Sequence, residues 1–391
     1  MTKLSSICTL FTDGDWIESK DQSDSGIRLI QTGNIGEGCF LEKAGKEKYV
    51  SEETFDRLKC EEVFPGDILI SRLPEPVGRA CIVPEKTERM ITAVDCSICR
   101  VNEKLIDKEY LCYFLQSRSY YQQLNNNVAG TTRKRISRKN LGDVEIDIPS
   151  FEIQKHVVEA LNKITTIIQG RKQELQEFDN LIKSRFVEMF GDLVLGDKFS
   201  DVKQKIGDIA YVTKLAGFEF TKFIQYKERG DIIMLRGLNC KKGHLVLDDI
   251  KWIDRETSDL LPRSKLYYGD ILMTYAGTIG DVAMVDEDDK YHLAPNVAKI
   301  TLQDKKMCNP VFLIHLFMYS HDYIMTFASQ VAQASINMEK IRSFEYYFPP
   351  VVLQNEFEQF VTQVDKLKFE VQKSLDETQT LMDSLMQQYF G

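Results

Sequence analysis

The chain has 391 residues, 43% of them hydrophobic, and carries 59 acidic against 50 basic side chains for a formal net charge of −9. That length can bury more than one core, and two domains is the natural count. The acidic balance excludes a nucleic-acid binder that works by bulk positive charge, so any such binding must rest on a few basic loops or on partner subunits.

The opening Met1-Thr2-Lys3-Leu4-Ser5-Ser6 lacks the charged-then-apolar pattern of a secretory leader, and no apolar run is long enough to span a membrane. A cytoplasmic protein without membrane contact is expected. The nine cysteines, an odd number scattered from Cys8 to Cys308, fit reduced thiols better than a disulfide framework. Cys96 and Cys99 form a CxxC, but no second pair or nearby His completes a zinc site, so they read as half-buried strand residues.

From about Ile27 to Ile148, short β-rich runs such as Asp67-Ile68-Leu69-Ile70 are punctuated by Gly, Pro, Asn and Asp. Tyr110-Leu111-Cys112-Tyr113-Phe114-Leu115 reads as the start of a buried helix. After Pro149 the apolar period becomes helical, with a stripe at Ile153, Val157, Leu161, Ile164, Ile168, Leu175, Phe178 and Ile182. The pattern then returns. Ile232 to Phe348 is again a β-rich mixed region, and a second helical stripe follows Pro349 at Leu353, Phe357, Val361, Val364, Val371 and Leu375.

The correspondence is residue by residue. Ile30-Gln31-Thr32-Gly33-Asn34 matches Leu235-Arg236-Gly237-Leu238-Asn239, and Gly66-Asp67-Ile68-Leu69 matches Gly269-Asp270-Ile271-Leu272. Pro149, Gln154 and Phe190-Gly191 return at Pro349, Gln354 and Phe390-Gly391, a constant offset of 200. A duplication organises the whole chain. The expected fold class is α/β (α+β): two similar mixed domains, 1–150 and 192–348, separated by spacer helices at 151–191 and 349–391. Forty helical residues make a rod of about 60 Å, and two equal amphipathic rods at equivalent positions are expected to pair as an antiparallel coiled coil.

With the duplication in place, the chain resembles the specificity subunits of type I restriction-modification systems. The repeat, Gly277-Thr278-Ile279-Gly280, the Phe348-Pro349-Pro350 to Gln354 helix entry and Met189-Phe190-Gly191-Asp192 carry the resemblance. It implies a non-catalytic subunit whose domains, the target-recognition domains, each read half of a split target in double-stranded DNA. The helices would set the gap and hold two methyltransferase subunits, through which restriction subunits join. No cofactor is then expected in this chain. S-adenosylmethionine belongs to the methyltransferase subunits, and ATP and magnesium to the restriction subunits. The first copy departs from the pattern, with Pro74-Glu75-Pro76-Val77-Gly78 replacing the Gly-Thr-Ile-Gly turn, which suggests that the two domains read different sequences.

Base edges are read by side chains with paired donors and acceptors, and phosphates are held by cations and hydroxyls. The densest candidate is Thr131, Thr132, Arg133, Lys134, Arg135, Arg138 and Lys139, which concentrates positive charge in an acidic chain. Its counterpart is less basic and offers Ser335, Asn337 and Lys340. Further candidates are Arg72 and Arg79 in the first domain, and Arg236, Asn239, Lys241, Lys242, Tyr275 and Thr278 in the second. Arg236 and Asn239 sit beside a strand, where they serve equally well in a surface salt bridge or a turn cap.

A DNA adenine methyltransferase with a built-in recognition domain is the leading alternative. The only Pro-Pro, Pro349-Pro350, is preceded by Phe348 and offers no polar acceptor to a flipped adenine, and no GxGxxG or phosphate loop occurs. A coiled-coil scaffold that does not touch nucleic acid is the third reading, and a steep salt dependence of DNA affinity would reject it. Replacing Arg133, Lys134 and Arg135 by Ala is expected to weaken binding to all sequences and flatten the salt slope. Titrations at several ionic strengths check this, and an unchanged slope would mean that the run is only a solvated face.

Overall fold

A computed structural model describes residues 1–126, 134–196, 198–199, 203–304, 306–329 and 334–391. The chain forms two compact units, one of Met1–Lys172 with Lys373–Gly391 and one of Gln173–Gln372.

In the first unit, strands β1 (Cys8–Asp13), β2 (Ile68–Ser71), β3 (Ala80–Ile82) and β4 (Cys96–Val101) form an antiparallel sheet in the order β1-β4-β2-β3. A second sheet joins Tyr49–Val50, Ile27–Ile30, Met90–Thr92 and Glu62–Val63, with its central pair parallel. Helix α1 (Lys108–Phe114) supplies five consecutive buried residues from Tyr110 to Phe114. Helix α2 (Phe151–Phe190) follows.

The second unit repeats this order. Strands β5 (Ala210–Lys214), β6 (Ile271–Thr274), β7 (Val282–Met284) and β8 (Val297–Leu302) pair as β5-β8-β6-β7, and a three-stranded second sheet orders Lys251–Ile253, Ile232–Leu235 and Tyr291–Leu293, the last two parallel. Helices α3 (Pro310–Tyr319) and α4 (Val351–Phe390) complete it. The four-stranded antiparallel sheets match in strand order and pairing sense, and the second sheets share their parallel pair and its antiparallel neighbour, so the duplication in the sequence is a duplication of fold.

The two long helices run antiparallel in each unit. In the first, Val157 and Leu161 of α2 share a core with Met382, Met386 and Phe390 of α4, whose ring lies 5.1 Å from Tyr110. In the second, Phe186 of α2 meets Phe357 of α4 at 5.3 Å, and Lys368 Nζ reaches Asp179 Oδ1 at 2.7 Å. Each domain therefore buries the start of its own helix and the end of the other repeat's helix.

The apolar seam begins one residue later than the stripe suggested. Ile153 is 53% exposed and Leu353 only half-buried, whereas Gln154 and Gln354 are buried. Amphipathicity alone would put the apolar side chain inside, but the helix entry has a stronger demand. Gln154 Oε1 accepts the Asp107 amide at 2.7 Å while its Nε2 donates to the Pro149 carbonyl at 2.8 Å, and Asp107 itself caps α1. Gln354 does the same between the Asn309 amide and the Pro349 carbonyl. These carboxamides satisfy backbone groups that would otherwise be buried unpaired where two helices start together. Leu175 and Phe178 are half-buried, and the other stripe residues are buried as expected.

Cys96 and Cys99 are fully rather than half buried. Three residues apart on a strand, they face opposite sides of the sheet and enter different core clusters, so this CxxC cannot chelate. Burial pushes the Cys96 thiol up to about 12.

Phe190 is fully buried against Phe186, Phe312 and Phe357, while Phe390 is half-buried. Phe190→Ala is expected to cost about 3–5 kcal/mol, and Phe390→Ala distinctly less because less area is lost. Urea unfolding of the two variants against the parent checks the order.

Candidate nucleic-acid interface

In the first domain β2 and β3 are joined by the turn Arg72–Arg79, and a second segment returns beside it, with the Ile136 amide bonding the Arg72 carbonyl at 3.3 Å. Arg72 is not available to a ligand. Its side chain is 6% exposed and bonds the Val94 carbonyl at 2.6 Å and Asp13 Oδ2 at 3.3 Å. Burial lowers its pKa, and the Asp13 charge opposes that shift. Arg79 is consumed more completely: its guanidinium donates to the carbonyls of Ile35, Leu73, Pro76 and Thr32 at 2.7–3.1 Å. Four of the five guanidinium N–H donors are thus spent on carbonyls of a buried turn. Arg72 and Arg79, expected from the sequence as DNA contacts, are engaged inside the fold as pillars of the turn.

The basic stretch follows. Ser137 caps the short helix Arg138–Gly142 through the Asn140 amide. Arg135, 45% exposed, pairs with Asp95 at 2.9 Å, and Arg138 Nη1 donates to Thr12 Oγ1 at 3.3 Å. Lys134 and Lys139 are exposed. Thr131, Thr132 and Arg133 lie outside the described residues.

The second domain builds the same corner from other side chains. The Ile336 amide bonds the Tyr275 carbonyl at 2.8 Å, the Tyr275 amide bonds the Asn296 carbonyl at 3.0 Å, and Lys214 Nζ lies 5.4 Å from the centroid of the Tyr275 ring. Ser335 is half-buried beside them. Asn337 caps the helix Met338–Arg342, accepting the Lys340 amide, and Lys340 Nζ donates to the Phe327 carbonyl at 2.7 Å. Thr278 is exposed at the tip of Gly277-Thr278-Ile279-Gly280, whose glycines sit at φ +84° and +87°. At Gly280 a Cβ would also come within 2.8 Å of His321. The tip thus brings Tyr275, Thr278, Ser335, Asn337 and Lys340 into one region.

Four candidates belong elsewhere. Asn239 is fully buried, bonding the Arg236 amide and the carbonyls of Val246 and Asp249, as Asn34 bonds Gln31 and Leu41 in the first domain. It is a turn staple, not a base reader. Arg236 is bound to Asp249 through both the carboxylate and the carbonyl at 2.8 Å. Lys241 and Lys242 lie on a separate hairpin, where Lys242 lines a cleft of about 260 Å³ with His244, His315, Asp365 and Lys368. Burial lowers the His315 pKa to about 4, so it is neutral there at neutral pH.

The residues at the corner that composition did not single out are Asp13 and Asp95 in the first domain and Lys214 and Asn296 in the second. They are found by strand register in the structure: Asp13 and Lys214 pair at equivalent strand positions, and Asp95 and Asn296 each precede the neighbouring strand by one residue.

A family model described as the type I restriction modification DNA specificity domain matches residues 1–177 and again 201–378. The chain is 22% identical over 329 residues to the type I restriction enzyme EcoBI specificity subunit of Escherichia coli, covering 75% of this chain and 67% of that one. It is 23% identical over 394 residues to the EcoKI specificity subunit of Escherichia coli K12, covering 94% and 82%. Among solved structures, one from work on assembly and conformational transition of the type I R-M system has TM-score 0.59 at 13% identity, covering 100% of this chain and 96% of that chain. The S subunit from M. genitalium has TM-score 0.50 at 13% identity, with 98% and 94% covered. At such identities the structures speak for the fold.

Arg79→Leu is expected to lower stability by about 2–4 kcal/mol, since four carbonyls lose a charged donor, while leaving DNA sequence preference unchanged. Thermal melts and binding to a panel of duplexes check both parts.

Proposed function

This chain belongs to the type I restriction-modification DNA specificity family and is the specificity subunit of such a system; from that premise we propose that it carries no catalytic site of its own. It binds a split, asymmetric target in double-stranded DNA and assembles with two methyltransferase subunits, and restriction subunits join through them. S-adenosylmethionine then resides in the methyltransferase subunits, ATP and magnesium in the restriction subunits, and the complex works in the cytoplasm. No described helix is long and apolar enough to cross a membrane.

The observation that carries this reading is the pair of corners. Two domains share strand order, pairing and the hydrogen bonds that close the corner, yet place different side chains there. A duplicated fold with diverged tips suits two readers of two different half-targets. The Pro-Pro dipeptide supports it against the methyltransferase alternative, because Pro349 and Pro350 spend their carbonyls on Gln354 and Leu353 at the helix entry. With Arg72, Arg79 and Asn239 engaged in the fold, the contacts proposed to remain include the exposed Lys134, Arg135, Arg138, Lys139, Thr278 and Asn337 and the half-buried Tyr275, Ser335 and Lys340.

Exchanging residues 1–150 for the matching domain of a relative is expected to change one half of the methylated target and leave the other intact. Mapping methylated bases in cells that also supply the methyltransferase subunits decides it. A change in both halves would reject independent reading, and methyl transfer by the isolated chain would reject the non-catalytic assignment.

A further inference from the structure

Hydrogen-bond register superimposes the two corners without reference to side chains. Asp13 pairs with Ser97 as Lys214 pairs with Ala298, and Ile68 with Cys99 as Ile271 with Ile300. The Arg72 amide bonds the Asp95 carbonyl at 2.8 Å as the Tyr275 amide bonds that of Asn296 at 3.0 Å. Ile136 and Ile336 then tie the returning segment to the carbonyls of Arg72 and Tyr275, which places Arg135 where Ser335 stands. Four positions drawn from four separate segments thus meet in each domain, on a shared backbone, and none keeps its residue type.

The replacements are concerted. In the first domain Asp13 holds Arg72 and Asp95 holds Arg135. In the second, Lys214 lies over the Tyr275 ring, and the Tyr275 hydroxyl accepts the Asn296 amide at 3.3 Å. A Lys in place of Asp13 would sit beside the buried Arg72, so these positions have to change together to avoid like charges in contact. Core packing does not ask for such an exchange, because the contacts are polar and lie at the edge of the sheet.

On the reading that each domain recognises half of a target, we propose that these four positions discriminate bases. Arg135, aimed by Asp95, reads a guanine in one half-target, and Asn296 reads an adenine in the other. The guanidinium fork matches O6 and N7 of guanine, and a carboxamide matches N6 and N7 of adenine. Pairing with Asp95 cancels the charge that would favour phosphate but keeps the direction of the fork, and 45% of the Arg135 side chain remains exposed. Asn296 is exposed at φ +67°, a left-handed conformation that Asn tolerates. Arg72, at 6% exposure, is a positioning residue that holds Asp13, and Asp95 positions Arg135. The phosphate grip falls to the exposed Lys134 and Lys139.

The test uses the full chain assembled with its methyltransferase subunits, with methylation mapped over a randomised plasmid library. Arg135→Lys keeps the charge and removes the fork. It is expected to reduce the preference for guanine at one position of one half-target by roughly tenfold or more, with the other half unchanged. Asp95→Asn is expected to relax the same position, and Asp95→Glu to restore part of the preference, which a purely structural role would not produce. Asn296→Ala should relax one adenine in the opposite half-target.

Thermal melts within a few degrees of the parent show that these variants fold. For any variant that does not, binding of the duplex library at a temperature well below its melt gives the same readout. An unchanged preference in Arg135→Lys and Asn296→Ala overturns the assignment. So does a uniform loss across all sequences with a flatter salt slope, which marks phosphate contact. A parental complex that methylates no split target would instead overturn the specificity reading, whatever these residues do.

Discussion

A helix of forty residues with one apolar face cannot stand alone in water, and the way this chain buries two of them governs much of the rest. Each domain accepts the start of its own helix and the end of the other repeat's helix. The aromatic knot of Phe186, Phe190, Phe312 and Phe357 is one such acceptance, and Phe390 against Tyr110 and Phe114 is its counterpart. Neither domain's core is complete from its own repeat alone. The chain is therefore two duplicated folds, each of which completes its core with the end of the other repeat's helix.

The helix entries show how much of this geometry is decided by backbone hydrogen bonds. Gln154 and Gln354 occupy seam positions where hydrophobicity would favour Ile or Leu, and each joins the entry of the long helix to the cap of the buried helix beside it. Leaving those amides and carbonyls buried and unpaired would cost more than the packing gained from an aliphatic side chain. Lys368 interrupts the second seam in a similar way, with its ammonium between Asp179 and Asp365.

The acidic composition has a physical consequence at the corner. Arg72 and Arg135 both lie against carboxylates, so the positive charge that remains for a polyanion is local and modest. An interface built this way leans on directed donors and acceptors more than on counterion release. That emphasis fits a subunit whose task is choice of sequence within a larger assembly.

The duplication, the mixed domains, the two long helices and their entry prolines were legible in the sequence because they are written in local period and in a constant offset. The turn Gly277-Thr278-Ile279-Gly280 was legible as a motif in the second copy. The candidate site was legible only as a region. Arg72, Arg79 and Asn239 look like ligands by residue type, yet their partners are carbonyls, a backbone amide and a carboxylate between three and 59 residues away, and proximity of that kind leaves no mark on neighbouring residues. Asp13, Arg72, Asp95 and Arg135 come from four segments that only the sheet and the returning loop bring together. Period and offset are properties of the chain and can be read along it, whereas burial and pairing are properties of the folded contact set. The tertiary structure alone decided which cations stay exposed and which hold the fold.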